Sequence, residues 1–327
     1  MARLSGGDPS LLRRLNAIAV LRALYAADEL TLAELVKASE VSRPTVEEIA
    51  VDLGGQGLVE EVPLSPGAPR PVGRPAKRYR FRPESGQVAG LEVGPRQTLC
   101  LVADLRGEVI GRVKADLDPE MGASDRLGAA RRVLGAAVRG HANVRVLGIG
   151  TTGVVSGGKV VRDDRLPGWT GVDLPAEFGG GCPVLAGNDT KLATLAEHWR
   201  GVAHGVDDFV YVQTGRTVSL GLLLGGKLHA GHHGAAGEIG ALRRAVGFVE
   251  LVAGTVLAVD PRLVVIGGAA DWLTAPLRAE LTRLCLFPVR VETSTLGEDA
   301  VALGAVRLAL SRVERELFSV ADVAGAG

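Results

Sequence analysis

Beyond residue 84 the chain alternates short apolar runs with stretches of helical periodicity, which confines it to an α/β fold with mixed sheets. Residues 88–93, 98–103 and 108–113 are three apolar runs split by the turns Gly94-Pro95 and Asp104–Gly107, the pattern of a three-strand meander. A helix over about 124–139 follows, then a strand of fully buried character at 144–150. Further helices are expected at 190–199, 247–258, 271–284 and 299–316. Strands are expected at 209–213, 219–224 and 263–266.

The first 83 residues follow a different pattern and predict a winged helix-turn-helix. Asp8-Pro9 suits a helix start, and Leu11, Leu15, Ile18, Leu21 and Tyr25 recur on one helical face. Thr31-Leu-Ala-Glu34 has the form of a capping box, with Leu32, Leu35 and Val36 facing inward. After the turn Ser39–Ser42, Ser42 is placed to cap a third helix with Val46, Ile49 and Leu53 inside, and Gly54-Gly55 stop it. Residues 58–62 and 77–81 then read as a β-ribbon joined by a Pro/Gly-rich loop.

Charge decides what such a unit could bind. The whole chain balances 37 Lys+Arg against 37 Asp+Glu, but residues 70–82 carry Arg70, Arg74, Lys77, Arg78, Arg80 and Arg82 with no acid. A basic wing of this kind suits a polyanion. The third helix would enter the DNA major groove, with Arg43, Thr45 and Glu48 facing bases and Arg74, Lys77 and Arg78 reaching phosphates. Glu47, Glu48 and Asp52 on that helix oppose the assignment, because three acids repel phosphates. A protein–protein module is therefore the alternative.

The remaining composition excludes several classes. The 3 cysteines form no disulfide framework and no CxxC pair. No apolar run is long enough for a membrane span, and Arg13, Arg14 and Arg22 interrupt any signal-peptide core. A cytoplasmic protein is expected.

Four motifs in the larger part carry a family resemblance. They are Leu166-Pro-Gly-Trp-Thr-Gly-Val-Asp-Leu174, the run from Ala186-Gly-Asn-Asp to Gly201, Gly231-His-His-Gly-Ala-Ala-Gly-Glu-Ile-Gly240, and Leu263-Val-Val-Ile-Gly-Gly268. In this order they resemble the ROK family of sugar kinases and repressors, whose repressors also carry an N-terminal winged helix with a Gly-Arg-Pro wing, here Gly73-Arg74-Pro75. The resemblance implies a two-lobed actin-like (ribonuclease-H-like) ATPase domain over 84–327. Its small lobe would be about 84–187 plus the C-terminal helix, and its large lobe about 188–300. It also implies a homodimer or higher homo-oligomer, a DNA operator and a sugar or sugar-like effector.

The resemblance assigns roles by position. Asp189 matches the general base and Asn188 its partner, while Glu238 and Glu250 match sugar-binding carboxylates. The phosphate machinery departs from the family pattern. Asp-x-Gly-Gly-Thr reads Glu92-Val-Gly94-Pro95-Arg96, and Pro95 supplies no amide. The second glycine loop reads Gly215-Arg216-Thr217-Val218-Ser219-Leu220-Gly221, with two glycines replaced. Ala241 stands where the family has a zinc-binding His, and the cysteine cluster is missing. The sequence therefore predicts a regulator without catalysis, metal or cofactor. An active sugar kinase with an added domain, or a scaffold that does not bind DNA, are the alternatives.

Overall fold

In the computed structural model, which describes residues 9–63, 76–141, 143–215, 218–244, 247–268 and 271–319, the chain divides into two units. The first holds described residues up to Gln87 together with 104–106 and 311–319; the second holds 88–103 and 107–310. No described helix is long and apolar enough to cross a membrane.

The first unit runs α1 (Pro9–Tyr25), β1 (Leu30–Thr31), α2 (Leu32–Ser39), α3 (Arg43–Gly55), β2 (Val59–Val62) and β3 (Arg78–Phe81). The capping box at α2 is complete: Glu34 N donates to the Thr31 hydroxyl at 3.3 Å, and Thr31 N donates to the Glu34 carboxylate at 2.8 Å. Ser42 takes the cap position of α3 but its side chain makes no cap bond, because its hydroxyl pairs with that of Thr45 at 2.8 Å. Val46, Ile49 and Leu53 are buried as expected. The ribbon gains a third strand that sequence reading did not find, giving the order β1-β3-β2. Two residues are too few to show a period.

The inward face of α1 differs from the expected one. Leu11 and Leu15 are 43% and 45% exposed, whereas Ile18, Val20, Leu21 and Leu24 are buried. The reason is that α1 packs on α2 and α3 through its C-terminal half, which leaves its first turns exposed. Tyr25 completes this core. Its ring packs edge-on against Phe81 and Phe318, each at 5.2 Å, and its hydroxyl donates to Leu105 O at 2.9 Å.

The second unit repeats one pattern twice. β4 (Gln87–Val93), β5 (Gln97–Asp104) and β6 (Val109–Asp116) lead to α4 (Ala123–Ala137) and β7 (Val144–Thr151). A hairpin of β8 (Val154–Ser156) and β9 (Lys159–Arg162), then α5 (Leu174–Phe178), precede β10 (Val184–Asn188) and α6 (Asp189–Arg200). The second round is β11 (Phe209–Gln213), β12 (Ser219–Leu224), β13 (Lys227–Leu228), α7 (Phe248–Val259), β14 (Leu263–Gly267), α8 (Asp271–Leu284), β15 (Arg290–Thr293) and α9 (Ala300–Phe318). The sheets have matching orders, β10-β7-β4-β5-β6 and β15-β14-β11-β12-β13. Antiparallel pairs occupy one side of each and parallel pairs the other. Gly90 and Gly148 let α9 lie directly on the first sheet, since a Cβ at either position would collide with the carbonyls of Ala302 and Ala305 respectively.

Candidate functional site

The site in the second unit is built where β10 passes into α6. Asn188 caps α6, its Oδ1 accepting from Lys191 N at 3.1 Å. Its Nδ2 donates to Gly153 O at 2.9 Å, Asp189 Oδ1 at 3.0 Å and Glu238 Oε1 at 3.4 Å. One buried amide thus ties together three of the four expected ligand-binding residues. Gly237 fixes Glu238 by lying against the Leu220 carbonyl, where no Cβ fits. Burial raises the Glu238 pKa above the ordinary carboxylate value, opposed by the nearby Lys191 charge. Glu250 is not brought in: it is exposed on the first turn of α7, its carboxylate folded back toward Gly247.

Asp189 has little freedom to act as a base. Its Oδ1 accepts from Thr190 N at 2.7 Å, and its Oδ2 faces Arg165 Nη2 at 3.4 Å. Arg165 is set by the Asp163 turn. Asp163 Oδ1 accepts from the Arg165 and Leu166 amides, each at 2.7 Å, and its Oδ2 accepts from the Thr152 hydroxyl at 2.6 Å. Trp169 anchors the same turn, fully buried with its indole N–H on the Thr151 hydroxyl at 2.9 Å.

The first phosphate-turn position is occupied by the protein's own bonds. Gly94 N donates to Gln97 O at 2.9 Å, and Pro95 has no N–H. Arg126, fully buried, holds the other side. Its guanidinium donates to Gly94 O at 2.5 Å and Pro95 O at 3.3 Å, and to Asp118 O, Pro119 O and Met121 O at 3.0–3.3 Å. Beside this turn a cavity of about 320 Å³ is lined by Glu92, Arg96, Gln97, Arg165, Asp189 and Gln213, among others. Glu92 has its pKa pushed up to about 7 by burial, partly offset by a bond from Gln97. Arg216 and Thr217 of the second loop lie outside the described residues, while Ser219 is buried with its hydroxyl 2.5 Å from that of Thr190. Among the described residues no cluster of three or more His, Cys, Asp or Glu is placed to hold a metal ion.

Sequence reading did not single out Lys191, Arg165 or Arg126. Lys191 lies within the Asn188-Asp189 motif and Arg165 directly precedes the Leu166 motif, a signal that could have found them, whereas Arg126 sits among other charges of α4 and carries no such signal.

In the first unit, the charges of α3 and the ribbon are paired. Arg43 Nε lies 3.3 Å from Glu47, and Arg13 of α1 reaches Asp52 at 2.5 Å and Glu48 at 3.2 Å. Lys77 pairs with Glu61 at 3.1 Å, Arg78 with Glu29, Arg80 with Glu60 and Glu84, and Arg82 with the same two acids. The described part of the basic stretch, residues 77–82, is thus locally neutral in the fold. Arg74 and the wing tip lie outside the described residues.

A helix-turn-helix with a three-stranded wing, followed by a sheet pattern repeated around a cleft, defines a DNA-binding type of fold joined to a sugar-kinase type of fold. Residues 88–250 match the ROK family, and residues 15–63 match the IclR helix-turn-helix domain. The chain belongs to the ROK family, with an IclR-type helix-turn-helix ahead of the family domain. It is 24% identical over 244 residues to the xylose repressor of Caldicellulosiruptor bescii, covering 72% of this chain and 60% of that protein. It is 23% identical over 249 residues to the DNA-binding transcriptional dual regulator NagC of Escherichia coli, covering 72% and 58%. The chain thus spans about 60% of the length of these relatives. The fold resembles that of a ROK family transcriptional regulator described as a homolog of E. coli MLC, with TM-score 0.68, 18% identity and coverage of 94% and 98%. It also resembles a ROK glucokinase of Streptomyces griseus, with TM-score 0.59, 20% identity and coverage of 69% and 100%.

Proposed function

We propose that the protein is a transcriptional regulator, a repressor by the pattern of its relatives, whose kinase-like unit senses a ligand and does not transfer phosphate. The observation that carries this is the state of the phosphate turn in a chain that also carries a helix-turn-helix with a three-stranded sheet. Residues 1–83 form the DNA-binding domain in this reading and 84–327 the sensing domain, with lobes of about 84–187 plus the C-terminal helix and 188–300. Arg43, Thr45 and Glu48 face bases, and Arg74, Lys77 and Arg78 take phosphates. Asn188, Asp189 and Glu238 are the ligand residues, and Glu250, expected with them from the sequence, stays exposed on the first turn of α7. A homodimer presents two such helices to a two-fold operator.

The paired charges are compatible with this. Exposed ion pairs contribute little to stability, so Lys77 and Arg78 can exchange a carboxylate for a phosphate. A ligand in the cleft that prefers one protein state would change operator affinity by about 5- to 150-fold, the usual range of such coupling.

Phosphoryl transfer needs metal, backbone donors and nucleophile placed together. Gly94 N is spent on Gln97 O and Pro95 has none, and losing one aligned donor costs about 10²–10³ in kcat in comparable sites. A coupled ADP-release assay over common hexoses and N-acetylhexosamines is expected to show no sugar-dependent turnover. Turnover that Asp189→Asn abolishes would establish the active-kinase alternative.

A further inference from the structure

The outermost line of α3 is apolar at both ends. The buried stripe of this helix is Val46, Ile49, Ala50 and Leu53. At about 100° per residue, the side chains most nearly opposite that stripe are those of Pro44, Glu48 and Val51, and all three are exposed. Val51 is 74% exposed, more than any other large apolar side chain described in the first unit. A scattered surface valine needs no explanation. This one stands on the crest of the second helix of the helix-turn-helix, the helix that lies in the major groove in this motif.

The crest carries no side-chain donor. Pro44 and Val51 are apolar, and an ionised carboxylate only accepts. The acids one turn before Val51 are already answered, Glu47 by Arg43 at 3.3 Å and Glu48 by Arg13 at 3.2 Å. Arg43 and Thr45 lie roughly a quarter-turn to either side of the crest. In the major groove guanine shows the acceptors N7 and O6, which call for a donor opposite them. Thymine shows a C5-methyl, an apolar group that a branched apolar side chain can cover.

We infer that Val51 is a specificity-determining residue that reads the C5-methyl of a thymine in the operator. The inference rests on the reading of the protein as a DNA-binding regulator with α3 in the major groove. The contact lays methyl against methyl and removes both from water, so it favours thymine over every base that lacks the methyl. It needs no rearrangement of the ion pairs beside it.

Uracil scanning with the full-length protein tests this. An operator is selected from a random duplex library, and each thymine of a half-site is then replaced by uracil together with its symmetry mate. The exchange removes the methyl and leaves the hydrogen-bonding edges of the base pair unchanged. At one thymine it is expected to weaken binding roughly fourfold per half-site, and so roughly 15-fold for the symmetric pair, the worth of one buried methyl in each. Val51→Ala, which withdraws both methyl groups at an exposed helix position where alanine is favoured, is expected to bind the thymine and uracil operators alike. Val51→Thr, which keeps one methyl, is expected to retain part of the difference. A uracil effect as large in Val51→Ala as in the wild type, or an operator in which no thymine methyl matters, would overturn the inference and leave the DNA-binding regulator standing. Recovery of no preferred sequence would overturn both.

Discussion

Arg126→Met is expected to destabilise the second unit by about 3–5 kcal/mol, the range seen when a buried charge whose partners are also buried is removed and those partners are stranded. The Arg126 guanidinium serves five carbonyls, two of them in the Gly94-Pro95 turn and three at 118–121. Methionine fills much of the volume but donates nothing, so these carbonyls lose their buried partner. In a unit of this size the loss corresponds to roughly a 10 °C fall in the unfolding midpoint. Arg132→Met, at an exposed position on the same helix, is the control and should change little. Urea unfolding that places the two variants within about 1 kcal/mol of each other, less than the loss expected for Arg126, would show that the turn is held by something else.

The second large effect concerns DNA. Arg13→Ala is expected to weaken operator binding on the order of tenfold through its electrostatic field, although Arg13 lies on α1 and not on the reading helix. Its guanidinium neutralises both Glu48 and Asp52. Removing it leaves two acids of α3 uncompensated where phosphates approach. Restoring balance with Glu48→Gln and Asp52→Asn in the same chain should recover most of the non-specific affinity, while Glu48→Gln also alters base preference. Fluorescence anisotropy at fixed salt reads both. Unchanged binding by Arg13→Ala would mean that α3 does not face DNA.

These two residues also show where the sequence was legible. The long helices and most strands of the second unit lie within a few residues of where periodicity and turns put them, because those elements are long or fully apolar. β1, β8, β9, β10, β13, β15 and the short helix α5 were not visible, because none is longer than 5 residues and such short elements show no clear period. The acids of α3 looked incompatible with DNA because Arg13, which answers two of them, lies 35 or more residues upstream. The basic run 77–82 looked free for the same reason. Antiparallel register sets Glu60 opposite Arg80 and Glu61 opposite Tyr79, and β1 brings Glu29 near Arg78. At the candidate site, the Asn188-Asp189 motif and Glu238 stand out in the sequence, and the structure joins them by hydrogen bonds. Lys191 hid within the same motif, because its burial follows from how α6 docks and not from any local pattern.

The central claim is that the protein reads DNA, and selection from a random duplex library with the full-length protein tests it most directly. The account predicts enrichment of one defined sequence with two-fold symmetry. Affinity for it should fall with rising salt and exceed non-specific binding by about 10³-fold or more. Recovery of no preferred sequence, with binding no tighter than to bulk duplex, would contradict the account.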